Sequence, residues 1–252
     1  RETADECIGW KTKEPEDGEI LTWDFPAGEV SWFSGRTLNA CYNCVDRHVE
    51  QGRGDQTAFI WVSNDPTEED DRYSYSELQD QVCRAALALR KCGIGKGDRV
   101  ILYMQVIPQL PIMMLACARL GAIHSVVFGA TATESLRFRV NDCGAKVVVT
   151  QNIGFHGEKK LRMKEVVDEA LQEAPSVEHV IVVGRDMREI DSTPMIDSRD
   201  WWWHAATSEH AYVEPEWVEA EHPLFILYTS GSTGKPKGMV HTTGGYLTYA
   251  AY

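Results

Sequence analysis

The residue types that could do chemistry crowd into one stretch, Tyr228-Thr229-Ser230-Gly231-Ser232-Thr233-Gly234-Lys235-Pro236-Lys237-Gly238, directly after the apolar run Leu224-Phe225-Ile226-Leu227. Glycines let a backbone take positive φ and bring N–H groups close to a ligand, hydroxyls add donors, and lysines neutralise charge. The guest that suits such a cradle is a polyphosphate. Two other nucleotide patterns are excluded. A P-loop needs Gly-Lys-Ser/Thr opening a helix, whereas Gly234-Lys235 is followed by Pro236, which disfavours helix continuation there. No Gly-x-Gly-x-x-Gly follows a strand, which removes the dinucleotide fingerprint.

Three other features invite a functional reading and have plainer ones. Cys41-Tyr42-Asn43-Cys44 has redox or zinc spacing, but no second Cys-x-x-Cys and no paired histidines follow it at zinc-finger distance; one turn of a half-buried helix explains it as well. The acidic run Glu68-Glu69-Asp70-Asp71 lacks calcium-loop spacing and reads as a solvated hairpin loop. Trp201-Trp202-Trp203 reads as an anchor that pins a polar excursion, residues 185–221, to the core. No metal site is expected within the chain.

The cradle must be held by regular structure. Residues 224–228 read as a short buried strand and 239–242 as its return strand, with a helix from about Gly245. Upstream, strands are expected at 99–104, 122–128, 146–150 and 177–183, and helices at 109–120, 133–143 and 161–174. Another helix starts at Ser76, whose spacing to Gln79 suggests a capping box; Leu78, Val82, Ala85, Ala86 and Leu89 share one face, and Gly93 ends it. This alternation predicts an α/β fold, a mainly parallel sheet with helices on both faces. Before it, residues 57–62 read as a strand. Trp32, Phe33, Leu38, Cys41, Val45 and Val49 follow a helical pattern with Asn39 and Asn43 turned away, broken at Gly52 and Gly54. Residues 1–31 show no sustained period and read as an extended wrapping segment.

With 25 basic and 38 acidic residues among 252, the formal charge is −13, which argues against an extended nucleic-acid or anionic-membrane surface. Seven scattered cysteines, an odd number, fit reduced, mostly buried thiols. The most apolar region, 112–130, is interrupted by Arg119 and His124 and fits a soluble core rather than a membrane span. A cytoplasmic or organelle-matrix location is expected. The chain starts at Arg1 and ends at Tyr252 in an expected helix, so a fragment is expected, with an exposed sheet edge and apolar face where later strands would continue.

The stretch from Tyr228 to Gly238 resembles the phosphate loop of the adenylate-forming superfamily, which includes acyl-CoA synthetases, luciferases and peptide-synthetase adenylation domains. Its surroundings are similar to the acetyl-CoA synthetases: Trp32-Phe33-Ser34-Gly35 with Thr37-Leu38-Asn39, Asp46-Arg47-His48, Met114-Leu115-Ala116-Cys117-Ala118-Arg119-Leu120-Gly121-Ala122, and His241-Thr242-Thr243-Gly244-Gly245-Tyr246. The likeness runs from about Trp32 to Tyr252. It implies an incomplete portion of the large N-terminal domain, with residues 1–75 as an acetyl-CoA-synthetase-type N-terminal segment and 76–252 as the first part of the AMP-binding domain.

The implied reaction joins ATP and acetate to an acetyl-adenylate with loss of diphosphate, after which coenzyme A displaces AMP. The implied ligands are ATP, Mg²⁺, acetate and coenzyme A, with no nucleic acid or membrane partner. By the same resemblance Thr229, Ser230, Ser232 and Thr233 would offer donors to the phosphates, Gly231 and Gly234 a close backbone approach, and Lys235 and Lys237 charge. Phe155-His156-Gly157-Glu158-Lys159-Lys160 resembles a coenzyme A phosphate-binding segment, with His156, Gly157, Glu158 and Lys159 as contacts; the alternative is a surface helix start with ordinary charges. Two departures from the family stand there: His156 replaces an arginine, an imidazole in place of a planar, permanently charged fork, and Gly129-Ala130-Thr131 replaces Gly-Gly-Phe. The acyl pocket, the magnesium-binding glutamate and the C-terminal domain of such enzymes would lie past Tyr252, so residues 1–252 alone are expected to be inactive. The competing readings are a non-catalytic adenine-nucleotide-binding or interaction module and a propionate-preferring ligase.

Overall fold

The computed structural model describes residues 2–13, 20–24, 26–63, 68–157, 159–229 and 235–251. The chain begins with α1 (Glu2–Cys7), β1 (Trp10–Thr12), β2 (Leu21–Asp24), β3 (Glu29–Trp32) and β4 (Thr37–Leu38), followed by helical turns of π type over Tyr42–Asp46 and Val49–Arg53. A hairpin, β5 (Thr57–Trp61) and β6 (Asp71–Ser74), leads into α2 (Tyr75–Lys91). Then come β7 (Arg99–Met104), α3 (Gln109–Arg119), β8 (Ile123–Phe128), α4 (Thr133–Cys143), β9 (Val147–Gln151), β10 (Ile153–His156), β11 (Lys159–Arg162), α5 (Met163–Leu171) and β12 (His179–Val183). The chain closes with β13 (Asp200–Trp202), α6 (Trp203–Ala206), β14 (Val218–Glu219), β15 (Pro223–Thr229), β16 (Lys237–Thr242) and α7 (Thr243–Ala251).

One seven-stranded sheet organises these elements, in the order β13-β12-β9-β7-β8-β15-β16. Every neighbouring pair is parallel except β15 with β16. Strands buried on both faces must be apolar on both, and β7, β9 and β12 are: Val100, Leu102, Val147, Val149, Ile181 and Val183 pack on one side with α2 and α3, while Ile101, Tyr103, Val148, Val180 and Val182 pack on the other with α4 and α5. The expected α/β class, mainly parallel with helices on both faces, is therefore the one observed. The tryptophan triplet anchors the edge: Trp201 packs against the first core and Trp202 against the second, because successive side chains of a strand point to opposite faces, and Trp203, opening α6, packs against the first.

Local readings needed correction in five places. The cap of α2 is Ser74, whose Oγ accepts from the Glu77 N–H at 3.2 Å while the Glu77 carboxylate accepts from the Ser74 N–H at 2.8 Å; the box sits two residues before the expected one because Tyr75 already belongs to the helix. Residues 1–31 include a helix, α1, too short at six residues for its period to show. The early helical run starts at Ala40, not near Trp32. Asn39 and Asn43 are buried rather than turned outward. Asn39 accepts from the Tyr42 N–H at 3.0 Å and donates to the carbonyls of Ala118 and Glu216, both at 2.8 Å; Asn43 pairs with both backbone groups of Gly9, at 2.7 and 3.1 Å. Finally, the helix expected from residue 161 starts at Met163, because Leu161 and Arg162 belong to the hairpin β10–β11. On the far edge, β16 leaves Met239 and Val240 about half exposed, at 52% and 55%.

Candidate functional site

Ligands of open parallel sheets bind outside the carboxyl ends of the strands, at crevices where successive connections leave toward opposite faces. Here β7 runs on into α3 on one face and its neighbour β8 into α4 on the other. By that rule the crevice falls at the ends of β7 and β8, at Gln105, Phe128 and Gly129, and β15, being parallel to β8, ends at the same edge.

Two buried residues, Leu224 and Phe225, seat β15. Near its end the Tyr228 hydroxyl donates to the Asp142 carboxylate of α4 at 2.7 Å, and the Arg139 guanidinium lies 5.4 Å over the ring. Burial, then the bond to Asp142, raises the Tyr228 phenol well above its ordinary pKa, so it stays a neutral donor. Thr229 pairs with Lys237 at the mouth of the β15–β16 hairpin, and Thr229, Lys235 and Lys237 are all exposed. Directly opposed residues of an antiparallel pair share a face, so the Thr229 hydroxyl and the Lys237 stem stand together there. Gly238 lies against the Tyr228 ring, where a Cβ would come within 3.2 Å. Ser230, Gly231, Ser232, Thr233 and Gly234 lie outside the described residues.

The second predicted segment is not a helix start but the hairpin β10–β11. Gly157 takes φ +58° at its turn, a conformation that suits glycine, and Glu158 lies outside the described residues. His156 is directly opposite Lys159, and Phe155 opposite Lys160. Alternation therefore puts His156 and Lys159 on one face and Lys160 on the other. Lys160 is engaged, bonding Glu189 at 2.7 Å and Asp186 at 3.0 Å, and these partners raise its pKa. His156 and Lys159 are exposed. The strands carrying this hairpin and the β15 loop, β9 and β15, are three places apart in the sheet, about 14 Å at a strand spacing of about 4.8 Å.

Residues that sequence reasoning missed hold the crevice together. Asn152, 1% exposed, follows β9 and accepts from the N–H groups of Ile153, Arg185 and Asp186 at 2.8, 2.9 and 3.2 Å while donating to the Asp186 carbonyl at 3.0 Å. Gln105, after β7, holds Phe155 of the hairpin. Both are uncharged amides placed directly after an apolar strand, and that placement is the one signal that could have singled them out.

The model of the family described as AMP-binding enzyme matches residues 45–252. The chain belongs to that family. It is 51% identical to the acetyl-coenzyme A synthetase of Rubrobacter xylanophilus over 92% of its length, covering 35% of that protein. It is 52% identical to that of Methylobacterium radiotolerans over 92% of its length and 49% identical to that of Streptomyces coelicolor over 95%, covering 36% of each. Among solved structures, the acetoacetyl-CoA synthetase from Streptomyces lividans superimposes with a TM-score of 0.86 at 27% identity, over 99% of this chain and 36% of that one. The chain thus spans little more than a third of the length of these relatives. Among its described residues no helix is long and apolar enough to cross a membrane.

Proposed function

We propose that the chain is the N-terminal part of an AMP-forming acetate–CoA ligase, with 1–75 as its leading segment and 76–252 as the first part of the AMP-binding domain. The observation that carries this reading is identity of 49–52% to proteins named acetyl-coenzyme A synthetase over at least 92% of the chain. The acetate carboxylate attacks the α-phosphorus of ATP and diphosphate leaves; the coenzyme A thiol then attacks the acyl carbon and AMP leaves. No nucleophilic side chain is required, so the protein's task is positioning and charge stabilisation.

In this reading Thr229, Ser230, Ser232 and Thr233 donate to phosphate oxygens, Gly231 and Gly234 admit them to the backbone, and Lys235 and Lys237 neutralise them. Among the described residues no three carboxylate, imidazole or thiol side chains stand together as a metal site, so no residue is assigned to Mg²⁺; the ion would arrive on the triphosphate oxygens. His156, Gly157, Glu158 and Lys159 face the phosphates of coenzyme A.

The test is acyl profiling of the ligase that contains this chain, by thioester formation. Acetate is expected ahead of propionate and acetoacetate; preference for either of those would overturn the acetate reading, and absence of any ATP-dependent thioester would leave a nucleotide-binding module. Within the same assay Lys235→Ala should raise the KM for ATP about 10- to 100-fold, the worth of one charge-assisted bond, with the melting temperature unchanged because the side chain is exposed. A substantial loss of thermal stability would make Lys235 structural instead. His156→Arg should lower the Kd for coenzyme A at pH 8 several-fold, on the order of one charged hydrogen bond; an unchanged Kd would remove the hairpin from the site.

A further inference from the structure

We infer that Gln105 is the positioning residue that sets the β10–β11 hairpin, and with it His156 and Lys159, over the crevice, so that recognition of the 3′-phosphorylated end of coenzyme A depends on it. This rests on the reading of that hairpin as a coenzyme A contact.

Phe155 turns its backbone groups toward Gln105, and the side-chain amide takes both. Its Nε2 donates to the Phe155 carbonyl at 2.6 Å, and its Oε1 accepts from the Phe155 N–H at 2.9 Å and from Gln151 Nε2 at 3.3 Å. The carboxamide thereby imitates a paired strand at a place where the sheet supplies none. Gln105 is itself fixed, since its own N–H donates to Gln151 Oε1 at 3.0 Å.

Glycines on both flanks make room for this arrangement. A Cβ on Gly154 would lie 2.9 Å from Gln105 Oε1 and 2.6 Å from Met163 Sδ, and one on Gly129 would lie 2.9 Å from Gln105 Cγ. Met163 is fully buried, so it has little freedom to yield.

The hairpin has a second fixing on its other strand, the Lys160 bonds to Glu189 and Asp186. With one strand held through Phe155 and the other through Lys160, the exposed pair His156 and Lys159 is presented on the opposite face as a rigid unit. A preorganised basic pair binds an anion without the ordering cost that a loose hairpin would incur.

The test compares the 252-residue chain with Gln105→Leu and Gln105→Glu by amide hydrogen exchange and by titration with coenzyme A, dephospho-coenzyme A and ATP, and then repeats the titrations on the ligase that contains it. In Gln105→Leu the Phe155 amide should exchange about 2- to 10-fold faster, the loss expected for the neutral bond it makes, while amides of β7 and β9 keep their protection. The preference for coenzyme A over its dephospho form should shrink toward one, and ATP affinity should stay within twofold. Gln105→Glu keeps the acceptor for the Phe155 N–H but loses the donor to its carbonyl, and should fall between the two.

Unchanged Phe155 exchange in Gln105→Leu would overturn the clamp. Faster exchange with an unchanged preference for coenzyme A would overturn the positioning role. A wild-type chain and ligase that both fail to distinguish coenzyme A from its dephospho form would instead overturn the reading of the hairpin, and the inference with it, whatever the exchange data show.

Discussion

Arg119→Met should lower the unfolding free energy by about 3–5 kcal/mol, the cost of leaving one member of a buried ion pair without its partner. Arg119 and Asp46 are 0% and 1% exposed at their side chains and join through two bonds, 2.9 and 2.8 Å. Arg119 also donates to the Val213 carbonyl and, at 3.3 Å, to the Cys41 sulfur. Asp46 receives the Tyr212 hydroxyl at 3.0 Å and the Gln79 amide at 2.9 Å. The pair therefore joins the early helical run, α2, α3 and the excursion before β15 at one point.

Burial raises the pKa of Cys41, so it stays a thiol, and the 41–44 spacing needs no redox explanation. After Arg119→Met the Asp46 carboxylate would keep only neutral donors, the Tyr212 hydroxyl, the Gln79 amide and, at 4.0 Å, the Cys41 thiol. Urea unfolding measures the loss, and a double variant that also carries Asp46→Leu should be more stable than the single one, since no lone charge is left buried. A single-variant cost below about 1 kcal/mol, the range of exposed pairs, would contradict this account.

The second large effect is on pH. His124 lies in β8 between β7 and β15, beside the Phe225 ring at 5.7 Å, and its Nδ1 has no hydrogen-bond partner among the described residues. Burial lowers its pKa to about 4. Well above pH 7 the imidazole is neutral in both states and adds no pH dependence. As the pH falls, the unfolded chain takes up a proton near 6.5 while the folded one resists until about 4, so stability is lost across that window and the loss levels off below it. The total is about 3 kcal/mol, from 1.36 kcal/mol per pKa unit.

Carboxylates held below their ordinary pKa, among them Asp98, Asp186 and Asp200, lose their contributions only as the pH falls through and below about 4, so the upper part of the window belongs to His124 together with His48, whose pKa burial and then Arg53 and Arg47 lower. Unfolding free energies measured between pH 7 and 4.5 should slope downward, and His124→Leu should flatten that slope. A variant with the wild-type slope would show that the buried imidazole is not its source.

Much of this architecture is legible from the chain because it is written in local patterns. Residues 99–104 and 133–143 form the expected strand and helix without adjustment, because β-branched runs and spaced apolar residues report burial within one element. The same holds for the apolar run that ends at Tyr228: a strand followed by glycines and hydroxyls puts its loop at a sheet edge, and its parallel pairing with β8 makes that the carboxyl edge. The hairpin at 153–162 is not legible as one in the sequence, because lysines and a glycine suit a helix start and a tight turn equally.

What composition and periodicity determined is the α/β alternation, the mainly parallel sheet and the strand that leads into the hydroxyl- and glycine-rich stretch, each an outcome of neighbours along the chain. Only the tertiary structure decided which polar groups meet. Asp46 finds Arg119 across 73 residues, Asn39 finds the Ala118 carbonyl across 79, and Gln105 finds Phe155 across 50. The physical reason is that a buried polar group must be bonded wherever the packing of helices and strands happens to place a partner, and that partner leaves no period in the sequence. Gln105 reads in the chain as the residue after a strand; in three dimensions it stands where a strand is missing, between two glycines that let it reach the hairpin.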